Sequence, residues 1–132
     1  MGALIVDTSA LLSILLREHD ANAFAEALSG ASRLHMAAPV WLETAMVATV
    51  RNGEVGGQEA VRLIEDIGIE VAPVDRALAE AALDGWRRYG KGRHPAALNF
   101  GDCFSYALAK VRNEPLLFKG GDFSLTDVEP AL

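Results

Sequence analysis

Cysteine is almost missing from this 132-residue chain. The lone Cys103 cannot close an internal disulfide and offers no multi-cysteine zinc spacing, which fits a reducing compartment. Its flanks suggest a small buried apolar residue. Positive charge is scarce as well: 12 basic against 18 acidic side chains leave a net charge of −6. That balance argues against a wholly basic nucleic-acid clamp but permits a local basic strip. Long apolar runs are lacking too. The longest, Leu11 to Leu16 broken by Ser13, falls far below the roughly 18–20 residues a membrane-spanning helix needs. Asp7 interrupts the first apolar stretch and no cationic leader precedes it, so a signal peptide does not fit. A soluble, cytoplasmic protein with no membrane association is expected. There are no repeats, low-complexity tracts or interior linkers. His19 and His35 show no ligand spacing with each other or with Cys103, no Ser-His-Asp or Cys-His arrangement can be argued, and Gly120-Gly121 is too short for a nucleotide-binding loop.

What remains is an apolar-rich chain, 51% hydrophobic, of a length that makes one domain over residues 1–132. Ala3 to Val6 is a short run without alternation, as expected for a strand covered on both faces. Asp7-Thr8-Ser9 supplies capping chemistry for a helix over Ala10 to Leu16, and a second helix over Ala21 to Leu28 stops at Gly30. Leu34 to Ala38 reads as a strand. Pro39 opens a helix to Val50 that Asn52-Gly53 ends, and another helix spans Gln58 to Ile67. Ile69 to Val74 is a third strand, and Asp75 caps a helix that dissolves near Gly90. A polar connection leads to a helix capped by Asn99, whose Phe104, Ala107, Leu108 and Val111 share one face. Leu116 to Phe118 is the last strand. This alternation predicts an α/β fold, a central, mainly parallel sheet flanked by helices on both sides. The helix from Pro39 to Val50 is apolar around more than one face, so it should pack against the core and against something else.

In a parallel sheet the loops after the strands share one edge, where ligands bind. Asp7, Glu43, Asp75, Asp102, Asp122 and Asp127 all fall near such places. Each also has an ordinary explanation: Asp7, Asp75 and Asp102 as helix-start acids, Glu43 as a solvated acid in a first turn, Asp122 as a turn residue bonding its own backbone. Two bare charges about 4 Å apart repel by roughly 4 kcal/mol at an effective dielectric near 20, so acids gathered at one edge call for protons or a divalent cation. Oxygen-only ligation suits Mg²⁺ or Mn²⁺.

Four local sequences occur in order: Val6-Asp7-Thr8-Ser9-Ala10-Leu11, Pro39-Val40-Trp41-Leu42-Glu43, Phe100-Gly101-Asp102-Cys103-Phe104, and Leu117-Phe118-Lys119-Gly120-Gly121-Asp122-Phe123. Together they resemble the PIN domain family, and within it the VapC-type toxins of bacterial toxin–antitoxin pairs. The resemblance covers nearly the whole chain. It implies a PIN-like domain in which Asp7, Glu43, Asp102 and Asp122 are the metal-binding, catalytic acids, and Asp75 and Asp127 are not. It implies a Mg²⁺- or Mn²⁺-dependent endoribonuclease, homodimeric, held in check by an antitoxin protein. Thr8 and Ser9 match polar positions beside the first acid, where a hydroxyl would support a metal-bound water, and Lys119 is placed to touch a phosphate. Many relatives carry Asn at the position of Gly121, a difference that removes no acid.

Arg87, Arg88, Lys91, Arg93 and His94 form the densest basic stretch, beside Trp86 and Tyr89, and are candidates for RNA contact. The plainer reading is a solvated helix end with Trp86 in the core. Two other functions are compatible with clustered acids. One is a Mg²⁺-dependent module that accepts phosphate on an Asp, against which the lone acid after the first strand speaks. The other is a PIN-like fold that only binds, which would not need four acids.

Overall fold

The computed structural model describes residues 2–132. Strand β1 (Leu4–Val6) leads to helices α1 (Thr8–Leu15) and α2 (Ala21–Gly30) and then β2 (Leu34–Ala37). The long α3 (Ala38–Asp66) joins β2 to β3 (Ile69–Ala72), followed by α4 (Arg76–Tyr89), α5 (Phe100–Arg112), β4 (Leu116–Leu117) and a short 3₁₀ turn over Phe123–Leu125. The sheet order is β3-β2-β1-β4, and every pairing is parallel, with Leu4 opposite Leu34 and Val6 opposite Leu117.

This order positions the site. The chain steps from β1 to β2 to β3 in one direction, then returns to add β4 on the other side of β1. Right-handed crossovers put the helices of the two halves on opposite faces of the sheet, and the reversal between β1 and β4 opens a crevice at the carboxyl edge. The central strand is short and β-branched because both its faces are covered: Ile5 and Val6 have no exposed surface, nor do Leu11, Met36, Leu116 and Leu117 around them. Burying each such side chain contributes roughly 1.5–3 kcal/mol, so a two- or three-residue strand suffices when it is central.

Three expectations change. Asn52-Gly53 does break the helix after Val50, with Gly53 at φ 73°, but the helix resumes directly instead of after a loop to Gln58. Gly56 is a spacing device: a Cβ there would stand 2.6 Å from the Asn52 Cβ and 2.7 Å from the Ala48 carbonyl oxygen. The bend therefore folds one half of α3 tightly onto the other. On α5 the buried side includes Gly101, Cys103, Ser105, Tyr106, Ala107, Leu108 and Ala109, while Val111 is 56% exposed. This helix touches β1, β2, β4, α3 and α4, so it is buried over a broader arc than one apolar stripe, and its small polar residues are drawn inside. The third strand also ends at Ala72 rather than Val74 because β3 is the sheet's edge and only Ile69 of its residues is buried.

Candidate functional site

Asp7 follows β1 directly and sits at the crevice. Its extended backbone makes it the N-cap of α1, and its Oδ2 accepts from the Ser9 N–H at 3.0 Å and the Ser9 hydroxyl at 2.7 Å. The other oxygen, Oδ1, accepts from the Ser105 hydroxyl at 2.6 Å. Asp7 is only 3% exposed, and a polar group that deep is costly to bury without such hydrogen-bond donors. No cation is among them. The plain capping role and the site role thus coexist in one side chain.

Glu43 lies in the second turn of α3, where Pro39 starts the helix. Thr8 donates to its Oε1 at 3.0 Å, while the buried Thr44 hydroxyl donates to Val40 O at 2.8 Å and also meets Thr8 at 2.9 Å. Thr8 has one proton and two acceptors in reach besides Thr44, the Glu43 carboxylate and, farther off at 3.3 Å, the Val40 carbonyl. The far side of Glu43 rests on α5: a Cβ on Gly101 would come within 2.7 Å of both carboxylate oxygens. Burial raises the Glu43 pKa, the Thr8 bond opposes the rise, and the charge of Asp7 adds to it.

Asp102 is the third residue of α5. A reciprocal capping box holds it: the Asp102 N–H donates to Asn99 Oδ1 at 2.9 Å, and the Asn99 N–H donates to Asp102 Oδ2 at 3.1 Å. Its pKa is nevertheless pushed up to about 7, first by burial, against the Asn99 bond, and then by the charges of Asp7, Glu43 and Asp122. Asp122 lies on the exposed loop after β4, just ahead of the 3₁₀ turn, and its side chain makes no cap. The four acids thus share one edge, and the charges of the other three make Asp102 costlier to ionise, as that of Asp7 does Glu43. They are not drawn into a finished ligand shell: among the described residues, no three His, Cys, Asp or Glu side chains are close enough to hold a metal as they stand. The donor chemistry itself, carboxylate oxygen uncompensated by cations, fits a hard divalent ion.

The other two acids are elsewhere. Asp75 caps α4 through the Leu78 N–H at 2.8 Å. Asp127 accepts from Tyr106 at 2.8 Å and pairs with Lys110 at 3.1 Å and Arg88 at 3.5 Å. Ser9 does more than cap, since its oxygen accepts the Lys119 N–H at 2.9 Å and so ties the loop after β4 to α1. The Lys119 ammonium pairs with Glu18 at 2.9 Å and Asp20 at 3.2 Å. In the basic stretch, Arg88 belongs to the Asp127 network and Arg93 covers the Trp86 ring at 4.7 Å. Trp86 is neither core nor a free platform. Arg87 and Lys91 are exposed. His35 is buried and pairs with Glu70 across β2 and β3, and His19 faces solvent.

Ser105 and Thr44 are site residues that sequence reading misses. Ser105 follows Asp102 by three positions, so both occupy one helix face, and Thr44 sits one residue past Glu43. Spacing relative to a named acid was the available signal.

A parallel sheet whose order reverses beside its first strand, with carboxylates from four segments at that edge, is the architecture of an α/β domain with a ligand crevice at the carboxyl end of β1. The PIN domain family model matches residues 4–129, and the chain belongs to the PIN domain family. More narrowly, it is 49% identical over 125 residues to "Ribonuclease VapC" of Mycolicibacterium smegmatis, covering 95% of this chain and 97% of that one. Among solved structures it resembles VapC20 of Mycobacterium tuberculosis, described as a Sarcin-Ricin loop cleaving toxin, with a TM-score of 0.78 at 19% identity over 95% of each chain. A toxin–antitoxin complex from Klebsiella pneumoniae aligns with a TM-score of 0.68 at 17% identity over 94% of this chain and 92% of the other. At those identities the structures speak for the shared fold.

Proposed function

We propose that this protein is a Mg²⁺- or Mn²⁺-dependent endoribonuclease, the toxin of a toxin–antitoxin pair acting on RNA in the cytoplasm. The observation that carries this reading is Asp102, a carboxylate pushed up to about 7 by burial and by Asp7, Glu43 and Asp122 together. A fold that gathers acids without cations favours an incoming one. Kinship with VapC ribonucleases supports the same substrate class.

Asp7 and Asp102 would hold the ion, helped by Glu43 and Asp122. When bound, a divalent ion lowers the pKa of water and polarises a phosphodiester. The chain's own contribution is orientation: Ser9 and Ser105 fix the two Asp7 oxygens, Thr8 and Gly101 fix Glu43, and the Asn99 box fixes Asp102. No side-chain nucleophile is required. Arg87 and Lys91, exposed near the end of α4, supply phosphate contacts with Arg93, so RNA binding weakens as salt rises.

A partner is expected on the apolar surface beside the acids. Leu42, Met46 and Val50 form a stripe along α3, 52%, 58% and 85% exposed, next to Phe100 at 78%. Such a patch marks an interaction surface, which we assign to the antitoxin and to a second copy of the chain.

Purified protein incubated with RNA and Mg²⁺ or Mn²⁺, with and without chelator and beside Asp102→Asn, tests the proposal. Cleavage should require metal and vanish in the folded variant. Full activity in chelator would reject it.

A further inference from the structure

We propose that Ser105 is a positioning residue for the metal site, its hydroxyl aiming the one Asp7 lone pair left for a cation. This rests on the ribonuclease reading above and deepens it.

The argument starts from lone pairs. An ionised carboxylate offers about four acceptor sites in all. On Asp7 three are taken: Oδ2 by the Ser9 N–H and hydroxyl, Oδ1 by the Ser105 hydroxyl. The Ser9 pair is local, two residues away, and comes with the helix cap. Ser105 reaches Asp7 across 98 positions of sequence at 2.6 Å, and is itself 1% exposed. Serine inside a helix ordinarily bonds back to the carbonyl four residues earlier. Here the hydroxyl is directed out of its own helix to the end of β1 instead.

That choice has a geometric consequence. Asp102 and Ser105 stand three apart on α5, hence on the same face. One turn of helix therefore delivers both a candidate ligand and the hydroxyl that orients the opposing one. Any rotation of Asp7 about its side-chain bond must break the Ser105 bond, so the remaining Oδ1 lone pair keeps a fixed bearing relative to Asp102. A capping serine alone could not do this, because Ser9 moves with Asp7.

The test uses the full-length protein with Mn²⁺ as probe, followed by titration calorimetry, together with kcat and KM on RNA. Loss of an outer partner of a metal-binding carboxylate weakens metal affinity by about 10–100-fold, and Ser105→Ala should do so, lowering kcat while leaving KM for RNA unchanged. Ser105→Cys, close in volume but a weak donor, should behave like the alanine variant, and Ser105→Thr should restore affinity. Should the threonine variant fail to fold, the Ala and Cys variants still decide. Wild-type Mn²⁺ affinity and kcat in folded Ser105→Ala overturns the inference, since a merely structural serine would alter unfolding temperature but not metal binding. Wild-type protein and Asp102→Asn, run in parallel with and without chelator, separate the two levels: no metal-dependent RNA cleavage by the wild type sinks the ribonuclease reading itself, whereas wild-type cleavage that is lost in Asp102→Asn but unaffected in Ser105→Ala sinks only the positioning role.

Discussion

Asp102 and Asp127 stand at opposite ends of one comparison: two acids associated with α5, the first half-buried with no cation paired to it among the described residues, the second exposed and paired with Arg88 and Lys110. Burial acts to raise both. At Asp127 the Tyr106 hydroxyl, Lys110 and Arg88 overcome it and hold the carboxyl below its usual range. At Asp102 the nearby charges are the carboxylates of Asp7, Glu43 and Asp122, and the pKa climbs to about 7. The difference separates an acid that ties the molecule together from one kept ready for a cation from outside. Asp20 belongs with the first kind, lowered by its Ser13 bond and by Lys119.

The comparison breaks most visibly under neutralisation. Asp7→Asn or Asp102→Asn should cut RNA cleavage by roughly 100-fold or more, since metal-assisted catalysis is worth several kcal/mol, while Asp127→Asn leaves the rate within twofold of wild type (about 0.4 kcal/mol in barrier). Equal losses at Asp102 and Asp127 in a single-turnover assay would erase the distinction.

Gly101→Ala sharpens it next. The atoms nearest its new Cβ would be the carboxylate oxygens of Glu43, at 2.7 Å, so the side chain must shift rather than the backbone, and alanine gains roughly 0.5–1 kcal/mol over glycine within a helix. We expect cleavage to fall about tenfold, the effect of a displaced catalytic group being at least one step of 1.36 kcal/mol, with unfolding free energy level or higher. A destabilised but fully active variant would contradict the role given to Glu43.

Tyr106→Phe should show the reverse pattern. It removes the 2.8 Å bond to Asp127 and should lower stability by about 1–2 kcal/mol in denaturant titration, with cleavage unchanged.

The last expected effect is on the pH dependence of stability. Asp102 in the fold binds its proton up to about 7, against 3.8 as the ordinary value. Between those limits the folded state holds more protons than the unfolded one, so stability falls as pH rises through this window. Denaturant titrations in chelator should show that negative slope, and Asp102→Asn should flatten it. Saturating Mg²⁺ should add stability near neutral pH by binding the folded state. A slope of opposite sign would mean that Asp102 is better compensated than its neighbours imply.

Much of this was readable in the chain. Leu4 to Val6 and Leu116-Leu117 announce buried strands through uninterrupted apolar residues, and Asp7 at the end of the first marks the crevice without any coordinates. Asn99 is legible as a cap. Lys119 and Arg88 were misleading because a cation's partner is chosen in three dimensions: Glu18, Asp20 and Asp127 are not neighbours that spacing reveals. The reason for Gly56 and Gly57 is also spatial: they are small to let a helix fold back on itself.

By itself the sequence determined where strands and helices begin and which acids lie at strand and helix ends, since these follow from local capping, periodicity and β-branching. Only the tertiary structure decided which acids share an edge, that Ser105 reaches Asp7, and that Asp127 is neutralised while Asp102 is not. Those outcomes depend on the strand order β3-β2-β1-β4, which brings residues nearly a hundred positions apart within hydrogen-bond reach, and short-range electrostatics acts through distance in space.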